Sequence, residues 1–270
     1  MSIIQLLGKG GLVPAPDPFA QYLVTAFPFN HQSQMRDQSH IIRGSGSPAS
    51  VLDTSIGYAQ VHTISTEQSV PGFYGCSLKK PYEVPADSVN FHSNELIADT
   101  GVANTIGSQA FCWEGWFYTE SFNFNGAERI DVLYSMNDSD AYGPSYTQGD
   151  NPAIAIGSDT FADVNSRRGI RIYNQPNGNF LGHTGSYILS PSTWHHIAYT
   201  RSGSTGRAFV DGTLRLTVAD SKSYTGYIQS HLAALNRSLP YGMYFQDVRF
   251  YVGTAKYTSN FTVPGPMFIS

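Results

Sequence analysis

Residues 194–219 read WHHIAYTRSGSTGRAFVDGTLRLTVA. Three runs of β-branched, aromatic and aliphatic residues are separated by a Ser-Gly-Ser triplet at 202–204 and by Asp211-Gly212. This pattern is typical of consecutive antiparallel strands joined by tight hairpins, and Asp and Gly both tolerate the positive φ of a two-residue turn. Each strand alternates polar and apolar residues, which gives it one buried face. The segment therefore predicts a three-stranded meander in the middle of a sheet, and it contains no catalytic motif.

The composition of the whole chain is that of an all-β protein. Only 13% of the 270 residues are charged, whereas Tyr and Phe are abundant and there are 26 Gly and 15 Pro. Helix formers are therefore scarce and turn formers plentiful. Short strand-like runs recur at regular spacing, with no long helical periodicity, and a chain of this length can hold them in one domain. We predict a two-sheet antiparallel sandwich of the jelly-roll type.

Outside the meander, short apolar runs bounded by turn residues predict the remaining strands. The predicted ranges are 19–29, 57–65, 73–78, 88–97, 109–119, 129–135, 152–157, 169–174, 180–189, 226–230 and 243–251. The polar stretch 30–54 reads as loop, with Ile41-Ile42 as a possible short strand.

Several bulky or reactive side chains are expected inside the sandwich. Trp113, Trp116 and Trp194 bring the large apolar area that a core needs, and we interpret them as core residues rather than ligand platforms. Cys112 lies in an apolar run where a small buried thiol is ordinary. A disulfide between Cys76 and Cys112 is the alternative, because the sequence does not show whether the two residues are close enough.

Two pairs of neighbouring polar residues are expected to have structural rather than functional roles. His195 and His196 are adjacent in a predicted strand, so their side chains point to opposite faces and cannot bind one metal together. We expect them to pack or to form hydrogen bonds. Asp247 and Arg249 are two residues apart, share a face and are expected to pair.

The sequence argues against two classes of partner, nucleic acids and membranes. The net charge is −4 and the 16 Lys and Arg residues are dispersed, so a nucleic-acid-binding surface is not expected. The sequence contains no apolar run of the length that spans a bilayer, and the N-terminus does not have the pattern of a signal peptide. We therefore expect synthesis in the cytoplasm and no membrane partner.

The first 16 residues are too apolar for a solvated tail and too interrupted by Gly and Pro for a helix. We interpret residues 1–16 as an arm that docks onto a partner; packing against its own domain is the alternative. The apolar residues of the arm are Ile3, Ile4, Leu6, Leu7, Leu12 and Val13.

Three segments resemble one known family. Residues 111–118, FCWEGWFY, are similar to the aromatic F-x-x-E-x-W-F-Y strand of laminin-G-like, concanavalin-A-like jelly rolls. Residues 194–201 with 209–212 resemble the W-x-H-(I/V)-A-x-x-R and (Y/F)-V-D-G meander of that family. Residues 247–264 resemble a C-terminal pattern, D-(V/I)-R-x-x-x-G-x-A-x-Y-x-x-N-F-x-x-P, of the branch found in bacteriophage virion proteins.

The resemblance implies a domain organisation. It makes residues 17–264 a single laminin-G-like domain, with the arm at 1–16 and a short tail at 265–270. The sequence departs from the family in two places: residues 79–82 replace a usual F-D-G, and Gly115 replaces a bulky strand residue. We expect remodelled loops on that side.

Catalytic chemistry is not expected. Retaining glycosidases of this fold need two carboxylates about 5 to 5.5 Å apart across the glycosidic bond. Glu114 and Glu120 are instead isolated in the sequence, and no nucleophile elbow, phosphate loop or zinc spacing is present. We predict that the chain is not an enzyme and needs no cofactor.

One acidic segment, residues 137–151, could bind a ligand. Asp138 and Asp140 offer hard oxygen ligands suited to calcium, although a solvated turn without metal is the alternative because the other ligands of a calcium loop are missing. Tyr142 and Tyr146 lie beside them and are candidates for stacking on sugar rings.

The resemblance implies, as the leading hypothesis, a virion structural protein of a bacteriophage. In this hypothesis the domain decorates the capsid surface, is anchored by its arm to a major capsid or tail protein, and contacts copies of itself. The alternative is a carbohydrate-binding, lectin-like module for host attachment on a tail or fibre, with a cell-surface glycan as partner.

Overall fold

The computed structural model describes residues 17–30, 35–54, 63–80, 95–99, 106–122, 131–135, 152–156, 168–174, 180–185, 187–224, 229–232 and 243–267. Within these residues the chain forms two antiparallel sheets and little helix. The predicted all-β, two-sheet sandwich is confirmed.

Fifteen strands make up the two sheets in the described part of the chain. They are β1 (Leu23–Phe27), β2 (Ser50–Thr54), β3 (Thr63–Ser65), β4 (Ser77–Lys80), β5 (Glu95–Asp99), β6 (Phe111–Thr119), β7 (Asp131–Ser135), β8 (Ala153–Ile156), β9 (Ile170–Tyr173), β10 (Phe180–His183), β11 (His195–Ser202), β12 (Thr205–Val210), β13 (Thr213–Ala219), β14 (Gln229–Leu232) and β15 (Met243–Val252).

The first sheet has eight strands, in the order β13-β12-β11-β6-β15-β4-β3, with β1 also pairing with β15. The long strands β6 and β15 lie at its centre, where Phe117 is opposite Phe245. The meander β11–β13 forms as predicted, with Ile197 opposite Val210. Its predicted place in the middle of the sheet is wrong, because β6 takes the far side of β11 and leaves β13 at the edge.

The second sheet has seven strands, in the order β10-β9-β8-β7-β14-β5-β2. Strands β7 to β10 follow one another in the chain as antiparallel neighbours. Edge strand β10 approaches edge strand β13 of the first sheet, since a Cβ added to Gly182 would lie 3.0 Å from Val218 Cγ1. The two sheets therefore contact each other along the edges formed by β10 and β13.

The main core lies between the sheets. Strand alternation directs Phe111, Trp113 and Phe117 inward from the first sheet, and Ile170 and Ile172 inward from the second. Trp113 is a core residue, as predicted. The other two tryptophans do not belong to this cluster.

Trp116 and Trp194 lie on the outer face of the first sheet and are partly exposed. Trp116 contacts the His196 ring edge to face, with the centroids 5.4 Å apart. Trp194 packs at 5.5 Å on Tyr118. The prediction that these two side chains occupy the core is wrong. Trp116 has the opposite strand parity to Trp113, and Trp194 precedes β11 at a position that continues the outward parity of His196.

A second apolar cluster covers the outer face of the first sheet. Its buried members are Leu23, Ala26, Cys112, Ala198, Phe209, Tyr251, Tyr257 and Met267. The segment 253–267 after β15, called here the closing segment, contributes Tyr257 and Met267 to this cluster. The first sheet is therefore buried on both faces over much of its area.

The polar stretch 30–54 holds more regular structure than predicted. Ile41-Ile42 is not a strand but part of a short α-helix, α1 (Ser39–Arg43). Buried Asp37 accepts hydrogen bonds from the N–H and the hydroxyl of Ser39, and Gly44 ends the helix with φ of 71°. A helix of this length is too short to produce a readable periodicity.

Strand β2 lies in the same stretch and was not predicted. It pairs with β5, with Leu52 opposite Ile97. Its sequence, SVLDT, is apolar only at Val51 and Leu52, so the flanking polar residues obscured it.

Two predicted strand boundaries are wrong for a common reason. Strand β4 begins only at Ser77, because Gly72 and Gly75 take positive φ. Strand β10 ends at His183, because Gly185 and Tyr187 do the same. Left-handed residues turn the backbone away from the extended conformation of a strand.

Cys76 and Cys112 are both buried and neither forms a disulfide, so the disulfide alternative is wrong. The N-terminal arm, residues 1–16, lies outside the described residues, and its role stays a prediction. None of the helices in the described ranges has the length and apolar character needed to cross a bilayer.

Candidate ligand-binding surface

Strands β9 and β10 present a cluster of aromatic and basic side chains on the outer face of the second sheet. Ile170 and Ile172 of β9 point into the core, so Arg171 and Tyr173 point outward. On the neighbouring strand Phe180 is opposite Tyr173, and His183 is opposite Arg171. We call Arg171, Tyr173, Phe180 and His183 the aromatic platform.

The platform residues contact one another closely. The Phe180 ring lies 5.7 Å from the Tyr173 ring and stacks on the His183 ring at 6.0 Å with an interplanar angle of 18°. The Arg171 guanidinium carbon is 4.5 Å from the Phe180 centroid and 5.4 Å from the Tyr173 centroid. These cation–π contacts hold the rings in place. Phe180 nevertheless remains 38% exposed, which leaves apolar surface for a ligand.

Polar groups without partners border the platform. The Tyr173 hydroxyl and the Asn174 side-chain carbonyl are buried atoms that make no hydrogen bond within the described part of the chain. Burial raises the pKa of Tyr173, and the nearby Arg171 charge offsets this only in part. The hydroxyl is therefore a neutral donor at physiological pH.

A second cation–aromatic pair lies beyond the far end of β9. Arg168 lies over the ring of Tyr187, with its guanidinium carbon 5.0 Å from the centroid. Tyr187 is 56% exposed and has a φ of 63°, an uncommon conformation for a bulky residue. The pair places an exposed ring and a cation near the start of β9.

The predicted ligand residues belong to the segment between β7 and β8, and the strand ends that flank it lie in one row with the platform. Ser135, Ala153, Tyr173 and Phe180 form one row across four strands. The chain between Ser135 and Ala153 thus leaves and rejoins the sheet at this row. It contains Tyr142 and Tyr146, the predicted glycan contacts, and Asp138 and Asp140, the predicted calcium ligands. All four lie outside the described residues and stay predictions.

A different polar cluster lies beneath the closing segment. Its centre is Glu114, which is fully buried on the outer side of β6. Glu114 Oε1 accepts hydrogen bonds from Lys256 Nζ at 2.7 Å and from the Tyr251 hydroxyl at 3.2 Å. Glu114 Oε2 accepts one from the Tyr257 hydroxyl at 2.5 Å and lies 3.4 Å from His196 Nε2.

The electrostatics of Glu114 suit a structural role rather than a catalytic one. Burial alone would raise its pKa, but Lys256, the His196 hydrogen bond and Arg249 together hold the pKa well below its usual value. A general acid needs a raised pKa and contact with substrate. Glu114 has neither, so we interpret the cluster as the anchor of the closing segment.

The two histidines face opposite sides, as predicted. His195 Nδ1 lies 2.8 Å from Asp211 Oδ2, and its Nε2 accepts a hydrogen bond from the Ser190 backbone N–H. His196 points to the other face and contacts Glu114. No group of three or more potential metal ligands occurs in the described ranges.

Asp247 and Arg249 form the predicted pair. Arg249 Nη2 donates to Asp247 Oδ2 at 2.5 Å, and the same oxygen accepts the Met267 backbone N–H at 3.1 Å. Asp247 has a φ of 55° and lies at an irregularity in the pairing of β15 with β6. The pair therefore holds the end of the closing segment against the sheet.

The sequence profile of the concanavalin A-like lectin/glucanases superfamily matches residues 93–254. The chain belongs to this superfamily. The match covers the central strands of both sheets and confirms the concanavalin-A-like jelly roll expected from the sequence. No curated protein is significantly similar to the chain in sequence.

Solved structures share this superfamily fold at low sequence identity. Domain 4 of AbnA, an extracellular arabinanase from Geobacillus stearothermophilus solved with arabinotriose, has a TM-score of 0.52 and 12% identity, covering 87% of this chain and 94% of its own. The binding domain of botulinum neurotoxin DC, solved with SialylT, has a TM-score of 0.52 and 10% identity over 86% of this chain. The match covers 48% of that toxin domain, so the chain spans about half of its length.

The aromatic platform was not predicted from the sequence. Residues 169–174 were correctly predicted as a strand, but the outward residues of IRIY were not considered as a surface. The sequence feature that pointed to the platform was the alternation of Ile with Arg and Tyr in residues 170–173. The contact with Phe180 and His183 requires the β9–β10 register, which the sequence does not display.

Proposed function

We propose that this chain is a non-catalytic carbohydrate-binding module and that the aromatic platform contacts the sugar. The observation that carries the proposal is the 38% exposure of Phe180, whose ring is held by Arg171, Tyr173 and His183. Exposed rings fixed by their neighbours bind the apolar face of a sugar at little entropic cost. The hydroxyl of Tyr173 adds a polar group that can fix the orientation of the sugar.

The comparisons support the proposal at the level of fold. The superfamily includes lectins, and the arabinanase domain was solved with an oligosaccharide. Transferring carbohydrate binding to this chain is our inference, because identities near 10% establish the fold alone.

The absence of catalysis is part of the proposal. Glycoside hydrolysis needs two carboxyl groups that reach the glycosidic bond, one of them a protonated acid. Glu114 is fully buried and Asp247 is 3% exposed, and both are held by ion pairs. Glu114 and Asp247 are the carboxylates of the two central strands, β6 and β15, and neither is open to a polysaccharide.

A glycan array probed with the full chain tests this function, together with an assay for reducing ends released from every glycan that is bound. We expect retention of at least one glycan class without release of product. An array without binding would contradict the binding function, and released reducing ends would contradict the absence of catalysis.

A bacteriophage virion is the location that we propose for the module. The specific observation that favours it is the closing segment, whose resemblance to the virion branch includes Tyr257 and Phe261. In the structure Lys256 and Tyr257 hold Glu114, and Phe261 stacks on Tyr257 at 3.5 Å. The matches described above contain no bacteriophage protein, so capsid decoration and a tail or fibre location both rest on the sequence resemblance.

Deletion of residues 1–13 tests the virion proposal. If the arm docks onto a capsid or tail protein, the truncated chain will fold but will not be incorporated into particles. Undiminished incorporation would contradict a docking role for Ile3, Ile4, Leu6, Leu7, Leu12 and Val13.

A further inference from the structure

We infer that Tyr187 is a second sugar-stacking residue, separate from the aromatic platform. The inference rests on the carbohydrate-binding function proposed above and adds a contact to it. Three properties of Tyr187 carry the inference: the exposure of its ring, the backbone conformation that presents the ring, and the contacts that fix the ring in place.

Tyr187 is the most exposed of the large hydrophobic residues in the described ranges. It is 56% exposed, compared with 38% for Phe180 and 36% for Tyr22. Single exposed apolar side chains are common on protein surfaces and do not by themselves indicate a function. The exposure of Tyr187 is informative because it is combined with an unfavourable backbone conformation.

The backbone conformation of Tyr187 is costly for a residue with a large side chain. Its φ of 63° lies in the left-handed region, which bulky residues rarely adopt. Phe29 is the other large aromatic residue with a positive φ in the described ranges, but it is 0% exposed and stacks on Phe27 in the core, so burial offsets its strain. Tyr187 has no such burial, and strain without a packing gain indicates a functional constraint.

The ring of Tyr187 is held in a fixed place by contacts on both sides of it in the chain. The Thr184 N–H donates to the Ile170 carbonyl at 2.9 Å, and the Leu189 N–H donates to the Arg168 carbonyl at 2.7 Å. The Arg168 guanidinium carbon lies over the ring, 5.0 Å from its centroid. The cation covers one face of the ring, and the other face is left to solvent.

A fixed and exposed tyrosine ring suits a sugar better than a protein partner. The apolar face of a sugar stacks on an aromatic ring, and a ring that is already immobilised loses little entropy when it binds. The tyrosine hydroxyl can exchange hydrogen bonds with sugar hydroxyls. A stable protein interface buries about 800 Å² on each partner, which is far more than one ring supplies.

A glycan array probed with dilution series of the wild type and of variants tests the contact. We expect Tyr187→Ala to weaken binding about 10-fold or more for at least one glycan that the wild type binds, because a stacking ring is lost. Tyr187→Phe keeps the ring and should retain most of the affinity, and Tyr22→Ala is the control for loss of an exposed tyrosine elsewhere. Unchanged affinity of Tyr187→Ala for every glycan that the wild type binds would overturn the inference.

Thermal unfolding tests the strain independently of any ligand. Glycine tolerates a positive φ whereas alanine does not, so Tyr187→Gly should unfold about 2 °C or more above Tyr187→Ala. Tyr22 does not have a positive φ, so the order should be reversed there, with Tyr22→Ala the more stable variant. An alanine variant at 187 as stable as the glycine variant would contradict the strain on which the inference depends.

The combined results separate this inference from the proposed function. If Tyr187 only covers Arg168, its substitution will lower the melting temperature without changing glycan affinity, and the inference is overturned. Loss of binding in Phe180→Ala but not in Tyr187→Ala would also overturn it while leaving the proposed function intact. A wild-type chain that binds no glycan would refute both.

Discussion

Lys256 Nζ lies 2.7 Å from Glu114 Oε1, and the two side chains are 7% and 0% exposed. This contact joins the closing segment to the central strand β6. It places a charged pair between the outer face of the sheet and the aromatic rings of Tyr257 and Phe261. The pair links two segments that are far apart in the sequence, and breaking it should affect the whole domain.

Removal of the Lys256 charge should destabilise the domain strongly. Lys256→Met keeps much of the side-chain volume but leaves Glu114 without its nearest cation. Loss of one partner of a buried pair costs about 3 to 5 kcal/mol in the free energy of unfolding. Urea denaturation measures this loss.

Lys79→Met is the control for that experiment. Lys79 Nζ also contacts a carboxylate, Glu67 Oε2 at 2.6 Å, but the side chains are 27% and 58% exposed. A surface pair contributes only about 0 to 1 kcal/mol. Equal losses in the two variants would show that the closing segment is not anchored by the Glu114 pair.

The stability contributed by Glu114 should depend on pH. Its pKa in the folded protein is lowered against the opposing effect of burial, by Lys256, His196 and Arg249. A lowered folded pKa gives stability that is present above the unfolded value of 4.5 and is lost as pH falls toward the folded pKa. The difference in unfolding free energy between wild type and Glu114→Gln should therefore be constant from pH 7 to about pH 5 and shrink below it. A difference that stays constant down to pH 3 would contradict this origin.

Gly212 should tolerate substitution poorly. It has a φ of 73° in the turn between β12 and β13, and a Cβ there would collide with the carbonyl oxygen of Phe261 in the closing segment. Gly203→Ala is the control, since Gly203 has a φ of 59° but open space around it. We expect a loss of about 1 to 2 kcal/mol for Gly203→Ala from backbone strain alone, and a loss about 2 kcal/mol larger for Gly212→Ala because of the added overlap. Similar melting temperatures for the two variants would contradict the close approach of Phe261.

The chain is expected to need no metal. Addition of calcium or of EDTA should leave the melting temperature unchanged in a thermal shift assay. A calcium-dependent increase that disappears in Asp138→Asn or Asp140→Asn would instead establish the segment 137–151 as a metal site.

The sequence was most informative where alternation and turn chemistry agreed. Asp211-Gly212 fixed the hairpin between β12 and β13, and the parity of His195 and His196 correctly separated their two environments. Local rules were sufficient there, because the relevant contacts lie within a hairpin or a single strand.

Contacts between distant segments could not be predicted in this way. Glu114 was considered isolated because its partners, Lys256 and Tyr257, are brought to it only by the closing segment. Gly115 was expected to mark remodelled loops. In the structure a Cβ at Gly115 would lie 2.9 Å from Val248 Cγ2, so the glycine accommodates the irregular part of β15.

The affinity of Phe180→Ala for the strongest glycan ligand tests the central claim most directly, with Tyr22→Ala as the matched control. Tyr22 is similarly exposed, at 36%, but lies next to Gly253 at the first sheet, away from the platform. Loss of a stacking ring should weaken binding about 10-fold or more. We expect this loss for Phe180→Ala in isothermal titration and wild-type affinity for Tyr22→Ala. Wild-type affinity in a folded Phe180→Ala variant would contradict the assignment of the platform as the sugar-binding surface.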